Sequence, residues 1–151
     1  MDLASLVRTE GTRHRYTIVR LERALAKALG DRALVLTQMP FAASDDSEPE
    51  PDLSVVPPGD WLDGHPDRAW LVVEVTESSH RRDLVTKAAL YAASGVSEYW
   101  VIDLVSRTLV CHTVPENGRY GTIRTIDDAG TISLAAFIDV SVNISGILPP
   151  R

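Results

Sequence analysis

Between Leu71 and Trp100 the chain reads LVVEVTESSHRRDLVTKAALYAASGVSEYW. Its opening, LVVEVT, is an apolar run rich in β-branched residues, the pattern of a buried strand, broken by one carboxylate at Glu74. A lone acid in such a run is unfavourable unless a cation, a hydrogen-bond partner or a metal compensates it. Whatever fold forms must therefore explain Glu74. After a short polar turn, Asp83 to Ser94 carries helical patterning through Leu84, Val85, Ala88, Ala89, Tyr91 and Ala92, with Ser79 as a candidate N-cap and Gly95 as the stop. Lys87 falls beside that apolar stripe, so its stem can lie over the core while its ammonium reaches the edge of the sheet. Glu98 to Ile102 is the next strand, ending at Asp103.

The flanking sequence supplies the other elements. From Arg13 to Leu29, Ile18, Leu21, Leu25, Ala28 and Leu29 recur at helical spacing, and Gly30 ends the helix. Ala33 to Met39 reads as a strand closed by Pro40, and AASDDSEPEP (42–51) as a loop. Asp52 to Val56 is a short strand with Asp52, Ser54 and Val56 on one face, and the pleat of Trp70 to Thr76 likewise groups Val72, Glu74 and Thr76. Arg107 to Thr113, Tyr120 to Ile126 and Thr131 to Leu134 are further strands, the first an antiparallel partner of its predecessor. Helix, strands, helix, strands within 151 residues predict one α/β domain, residues 1–151, with a central mixed β-sheet flanked by helices.

Charge and composition narrow the function classes. A net charge of −6 argues against broad, non-specific nucleic-acid binding. The distribution is polarised: Asp45, Asp46, Glu48, Glu50, Asp52, Asp60, Asp63 and Asp67 crowd residues 41–67 without a lysine or arginine, whereas Arg8, Arg13, Arg15, Arg20, Arg23 and Lys27 lie upstream. Tyr16, Arg20, Arg23 and Lys27 align on the first helix, as a phosphate-contacting face or, by preference, a solvated surface. Cys111 is the only cysteine, which excludes an internal disulfide and a cysteine-built zinc site. Cys111 and His112 point to opposite faces of a strand and make no pair, leaving Cys111 as a small core residue. With no apolar run of the roughly 18–20 residues that span a bilayer and no signal-peptide pattern, a cytoplasmic protein without membrane association is expected.

Glycine-rich phosphate loops, serine-nucleophile elbows and paired-histidine metal motifs are absent. Asp52, Glu74 and Lys87 remain. Two carboxylates on strands can hold Mg²⁺, which takes oxygen ligands and keeps waters and substrate phosphate oxygens around it; an ammonium nearby can orient a water and neutralise charge on phosphate. The same residues also admit a structural account. Asp52 can merely begin a strand, Glu74 can pair with Lys87 or an arginine, and Asp83 and Lys87 sit at the spacing of an ordinary helix ion pair worth about 0.2–0.5 kcal/mol.

The run PDLSVV (51–56), LVVEVTESS (71–79), Asp83, Lys87 and YAASGVSEYWVID (91–103) resembles the Uma-type (Uma-two) restriction-endonuclease family of the PD-(D/E)xK nuclease superfamily. The resemblance is close across 51–103 and looser elsewhere. It implies a restriction-endonuclease-like fold and a metal-dependent phosphodiesterase site, with Asp52 and Glu74 as metal ligands and catalytic residues. The superfamily lysine usually stands two residues beyond the second acid, where this chain has Thr76; Lys87 matches the family lysine and takes over that catalytic position from the next helix. Glu22 is a candidate third acid, with a solvent-facing role the preferred reading. Relatives carry an N-terminal hairpin ahead of the His14 position, so an altered substrate cleft or oligomer contact is expected here.

The resemblance thus implies an Mg²⁺-dependent endonuclease, with Mn²⁺ as a substitute, that hydrolyses DNA phosphodiesters as a homodimer. Two further readings stay open: a non-catalytic binding or assembly module retaining the nuclease fold, motivated by the acidic charge, and a metal-dependent phosphoesterase acting on RNA or a nucleotide.

Overall fold

Residues 11–44, 48–59, 64–77 and 81–151 are described by the structure, a computed structural model, without the side chains of residues 81–83. The cap expected at Ser79 and the Asp83 side chain lie outside these residues, as do Arg8, Asp45, Asp46, Asp60 and Asp63.

The first apolar stripe forms helix α1, Thr12–Leu29, which buries Ile18, Leu21, Leu25 and Leu29 on one face. His14 and Thr17 extend that buried face into the first turns. A 3₁₀ turn, Gly30–Arg32, leads into β1, Leu34–Thr37. That strand is shorter than the expected Ala33 to Met39, because Gln38 adopts φ 50° and ends it ahead of Pro40.

Strands β2 (Leu53–Val56), β3 (Leu71–Thr76), β4 (Glu98–Asp103), β5 (Thr108–Glu116) and β6 (Arg119–Asp127) complete a six-stranded sheet in the order β1-β2-β3-β4-β5-β6. All neighbours are antiparallel except β3 and β4, which run parallel with Glu74 opposite Val101. A parallel pair needs a crossover, and helix α2, Arg81–Ala93, supplies it. The mixed α/β sheet flanked by helices is therefore the architecture of the chain. Strands β7 (Thr131–Ser133) and β8 (Ser141–Asn143) form a separate ribbon and are followed by α3, Ile144–Ile147. The strand expected at Thr131 to Leu134 thus lies outside the main sheet, and β8, with Val142 alone buried, offers too short a pattern to read.

Pleating divides the core into two layers. Leu53, Val55, Leu71, Val73, Val75, Trp100 and Ile102 face α1 and the β7–β8 ribbon, while Val72, Tyr99 and Val101 face Tyr91 and Ala92 of α2. Glu74 shares the parity of Val72 and so faces α2. On β5, Cys111 and His112 point to opposite layers, as their adjacency requires. Cys111 donates to Glu98 Oε2 at 3.2 Å, and burial pushes its thiol pKa up to about 12, so it is an inert core residue. Glu98, 2% exposed, also accepts from Trp100 Nε1 at 2.8 Å and from the Ala135 N–H at 2.9 Å. Those bonds compensate its burial and fasten the segment after β7 to the sheet.

Helix α2 ends where Val96 N–H reaches Tyr91 O at 3.1 Å and Gly95 N–H reaches Ala92 O at 3.1 Å, with Gly95 at φ 80°. This left-handed stop favours glycine. Gly95→Ala is expected to lower unfolding stability by about 1 kcal/mol, seen in urea titration as a lower midpoint at unchanged slope. An unchanged midpoint would show that the φ constraint is relieved by local rearrangement.

Candidate active site

The antiparallel register of β2 and β3 pairs Leu53 with Val73, and one residue further places Asp52 opposite Glu74. Asp52 stands at the bend just ahead of β2, and its side chain turns along the neighbouring strand. Asp52 Oδ2 accepts the Val75 N–H at 2.7 Å, while the Asp52 N–H donates to Glu74 Oε1 at 3.2 Å. Each acid is thus held by the backbone of the other's strand. Both are buried, at 7% and 5% exposure.

Helix α2 crosses the same face of the sheet and brings Lys87 over Glu74. Lys87 Nζ lies 2.7 Å from Glu74 Oε2, with the lysine side chain one-third exposed and the glutamate side chain 7% exposed. Burial pushes the Glu74 carboxyl above its ordinary range. The hydrogen bond and charge of Lys87 pull it back, the negative charge of Asp52 pushes it up again, and the Asp52 N–H lowers it. The awkward acid of the sequence is therefore compensated from α2, by Lys87. Thr76 ends β3 half-buried.

A fourth residue joins from α1. His14, 5% exposed, sets Nε2 3.2 Å from Asp52 Oδ2 across a sequence separation of 38 residues. It occupies the first turn of α1. No motif in the sequence pairs His14 with an acid. Its one readable mark is that it lies four residues before Ile18, on the stripe that Leu21 and Leu25 continue. Glu22 is two turns along α1 from His14, roughly 12 Å at 1.5 Å per residue, and does not join. Arg20, Arg23 and Lys27 are exposed; Arg20 donates to Gly146 O at 3.3 Å and lies 5.3 Å from the Tyr16 ring centre, tying α1 to α3.

The donor set suits a hard divalent cation. Asp52 and Glu74 offer carboxylate oxygens from adjacent strands, and Asp52 Oδ1 accepts no hydrogen bond from a described residue. Among the described residues no cluster of three or more His, Cys, Asp and Glu side chains surrounds a common point. Mg²⁺ and Mn²⁺ tolerate two protein carboxylates and fill the remaining positions with water and phosphate oxygens, whereas structural zinc requires a closed set of four ligands.

Comparison with known proteins bears on the same region. The profile of a family, Uma2, described as "Putative restriction endonuclease", matches residues 5–145. Among solved structures, a "putative nuclease belonging to DUF820" from Anabaena variabilis superposes with a TM-score of 0.69 at 17% identity, covering 91% of this chain and 80% of that one. At that identity the likeness concerns the fold. No curated protein matches the chain.

Proposed function

Because the chain belongs to the Uma2 family, "Putative restriction endonuclease", we propose that it is a divalent-cation-dependent endonuclease hydrolysing phosphodiester bonds of DNA. The observation that carries this reading is the contact of Lys87 Nζ with Glu74 Oε2 at 2.7 Å, beside Asp52. It places two acids and an ammonium at the C-terminal end of β3, although position 76 is threonine.

Asp52 and Glu74 would hold Mg²⁺ or Mn²⁺, which when bound would stabilise negative charge on phosphorus and acidify a coordinated water. Lys87 presents a fixed cation at the solvent-facing side of the pair. Its ammonium can donate to a non-bridging phosphate oxygen or hold the attacking water in line. The Val75 N–H keeps Asp52 Oδ2 in place and leaves Oδ1 for the ligand. The proposed substrate is a DNA strand laid across this end of the sheet by a homodimer.

His14 positions Asp52. With Nε2 as donor it holds Oδ2 and directs the remaining oxygen outward. Supporting partners of this kind change metal affinity by about 10–100-fold. His14→Leu is expected to weaken Mn²⁺ binding by about that factor, and His14→Gln, which retains a donor, to recover most of it. Calorimetric titration is the measurement; equal loss in both variants would assign His14 to packing.

The nuclease assay uses supercoiled, linear and single-stranded DNA with Mg²⁺ or Mn²⁺. Cleavage suppressed by a chelator and restored by added metal is the expected result. A protein that binds neither ion while remaining folded would leave the fold as a binding module.

A further inference from the structure

Beyond the carboxylate pair, the same end of the sheet carries a polar pocket of about 280 Å³ lined by Arg13, Glu77, Leu104, Val105, Arg107 and Arg151. Two of its lining residues stand close in sequence to residues of the active site. Arg13 directly precedes His14 on α1, and Glu77 follows β3, while the Leu104 N–H donates to Thr76 O at 2.8 Å and forms the floor. Resting on the nuclease reading, we propose that this pocket is a second phosphate subsite, which grips a backbone phosphate of the nucleic-acid strand flanking the bond that is cut.

Three observations support it. Arg13 is exposed and makes no hydrogen bond or ion pair with a described residue, so its guanidinium is available. Arg107 is pinned: Nε donates to Asp128 Oδ2 at 3.0 Å and Nη1 to Pro149 O at 2.7 Å. Those bonds leave Nη2 for a ligand, because the guanidinium has five donors. Arg107 also holds φ 57°, a conformation that favours glycine or asparagine, so a long cation is kept at a backbone position that disfavours it.

The facing charges leave a cationic surplus. Arg13, Arg107 and Arg151 stand against Glu77 in the lining and Asp128 behind it, and Arg151 Nη2 reaches Asp128 Oδ2 at 3.1 Å. Asp103 Oδ1 is occupied by the Val105 and Ser106 N–H groups. Glu77 repels an anion on one side and restricts how a phosphate can enter. The pocket lies two to three residues beyond Glu74 along β3, about 7–10 Å at 3.3–3.4 Å per residue. At that separation the gripped phosphate is a near neighbour, on the same strand, of the scissile one.

Binding is measured without metal, so the result does not depend on cleavage. Fluorescence anisotropy with a labelled oligonucleotide is expected to show Arg13→Ala weakening binding about 5- to 10-fold at low salt. The slope of log K against log salt should fall by about 0.7–0.9, one phosphate contact. Lys27→Ala, at the other end of α1, should change neither. A scan of single methylphosphonate substitutions should then find one position where neutralisation weakens the wild type but adds nothing to Arg13→Ala. Wild-type affinity and slope in Arg13→Ala, no such position, or no oligonucleotide binding at all would each overturn the subsite. Cleavage lost in Asp52 and Glu74 variants but indifferent to Arg13 would retain the nuclease reading and remove the subsite.

Discussion

Asp52→Asn and Glu74→Gln proteins are expected to fold as the wild type does and to lose nuclease activity by about a thousandfold or more. Loss of a metal ligand removes several kcal/mol of charge stabilisation, and each 1.4 kcal/mol is a factor of about ten in rate. The amides are chosen because each retains an acceptor: Asn at 52 can still take the Val75 N–H, and Gln at 74 the Asp52 N–H. Stability should therefore separate from activity. Glu74→Gln should melt at or above the wild-type temperature, because burial holds the Glu74 carboxyl above its ordinary range and a neutral amide avoids that cost. Mn²⁺ titration, cleavage rate and thermal melting on the same preparations check all three statements. Cleavage at the wild-type rate in both variants would remove Asp52 and Glu74 from the chemistry.

Lys87→Met is the second large effect, and it should appear in both stability and rate. The substitution keeps a long apolar stem over the core but leaves the Glu74 carboxylate, 7% exposed, without its cation. Breaking a wholly buried pair costs about 3–5 kcal/mol. With Lys87 one-third exposed and Glu74 able to take up a proton, about 2 kcal/mol is expected near neutral pH. The cleavage rate should fall at least about a hundredfold.

The pH dependence of Lys87→Met has a definite sign. A carboxyl whose folded pKa lies above its unfolded value contributes stability that is complete below the unfolded value and is lost as pH rises through the folded one. Glu74 is raised above 4.5 already, and losing Lys87 removes two influences that lower it. The gap between variant and wild type should therefore narrow on acidification toward 4.5 and widen toward neutrality. Melting curves across that range would contradict the assignment if the gap stayed constant.

The sheet and the acids were legible for a common reason: each is written locally. Val72, Glu74 and Thr76 share a face by alternation, and α1 announces itself through Ile18, Leu21, Leu25 and Leu29. Periodicity shows Lys87 as a residue beside an apolar stripe and leaves its pairing with Glu74 open beside an arginine. Its meeting with Glu74 depends on α2 crossing back over a parallel pair, which periodicity does not encode. His14 was hidden because its partner is 38 residues away. Glu98 was read as the start of a strand; its burial becomes intelligible only when Cys111 and Ala135 arrive from later segments to meet it. In the ribbon, β7 is the strand expected at Thr131 to Leu134, whereas β8, three residues with one buried, is too short for any period to show.

The bond from the Val75 N–H to Asp52 Oδ2 has an evolutionary side. An acid that also completes the pairing of two strands is selected twice, once for chemistry and once for folding. A lineage that abandoned catalysis would still be punished for losing an acceptor at position 52, so its aspartate would outlive its activity. Lys87, partly exposed and holding only another side chain in that pair, is less protected. Under the proposed nuclease reading, the lysine would decay first among descendants of such a chain, and its survival, more than that of either acid, would mark the copies that retain activity.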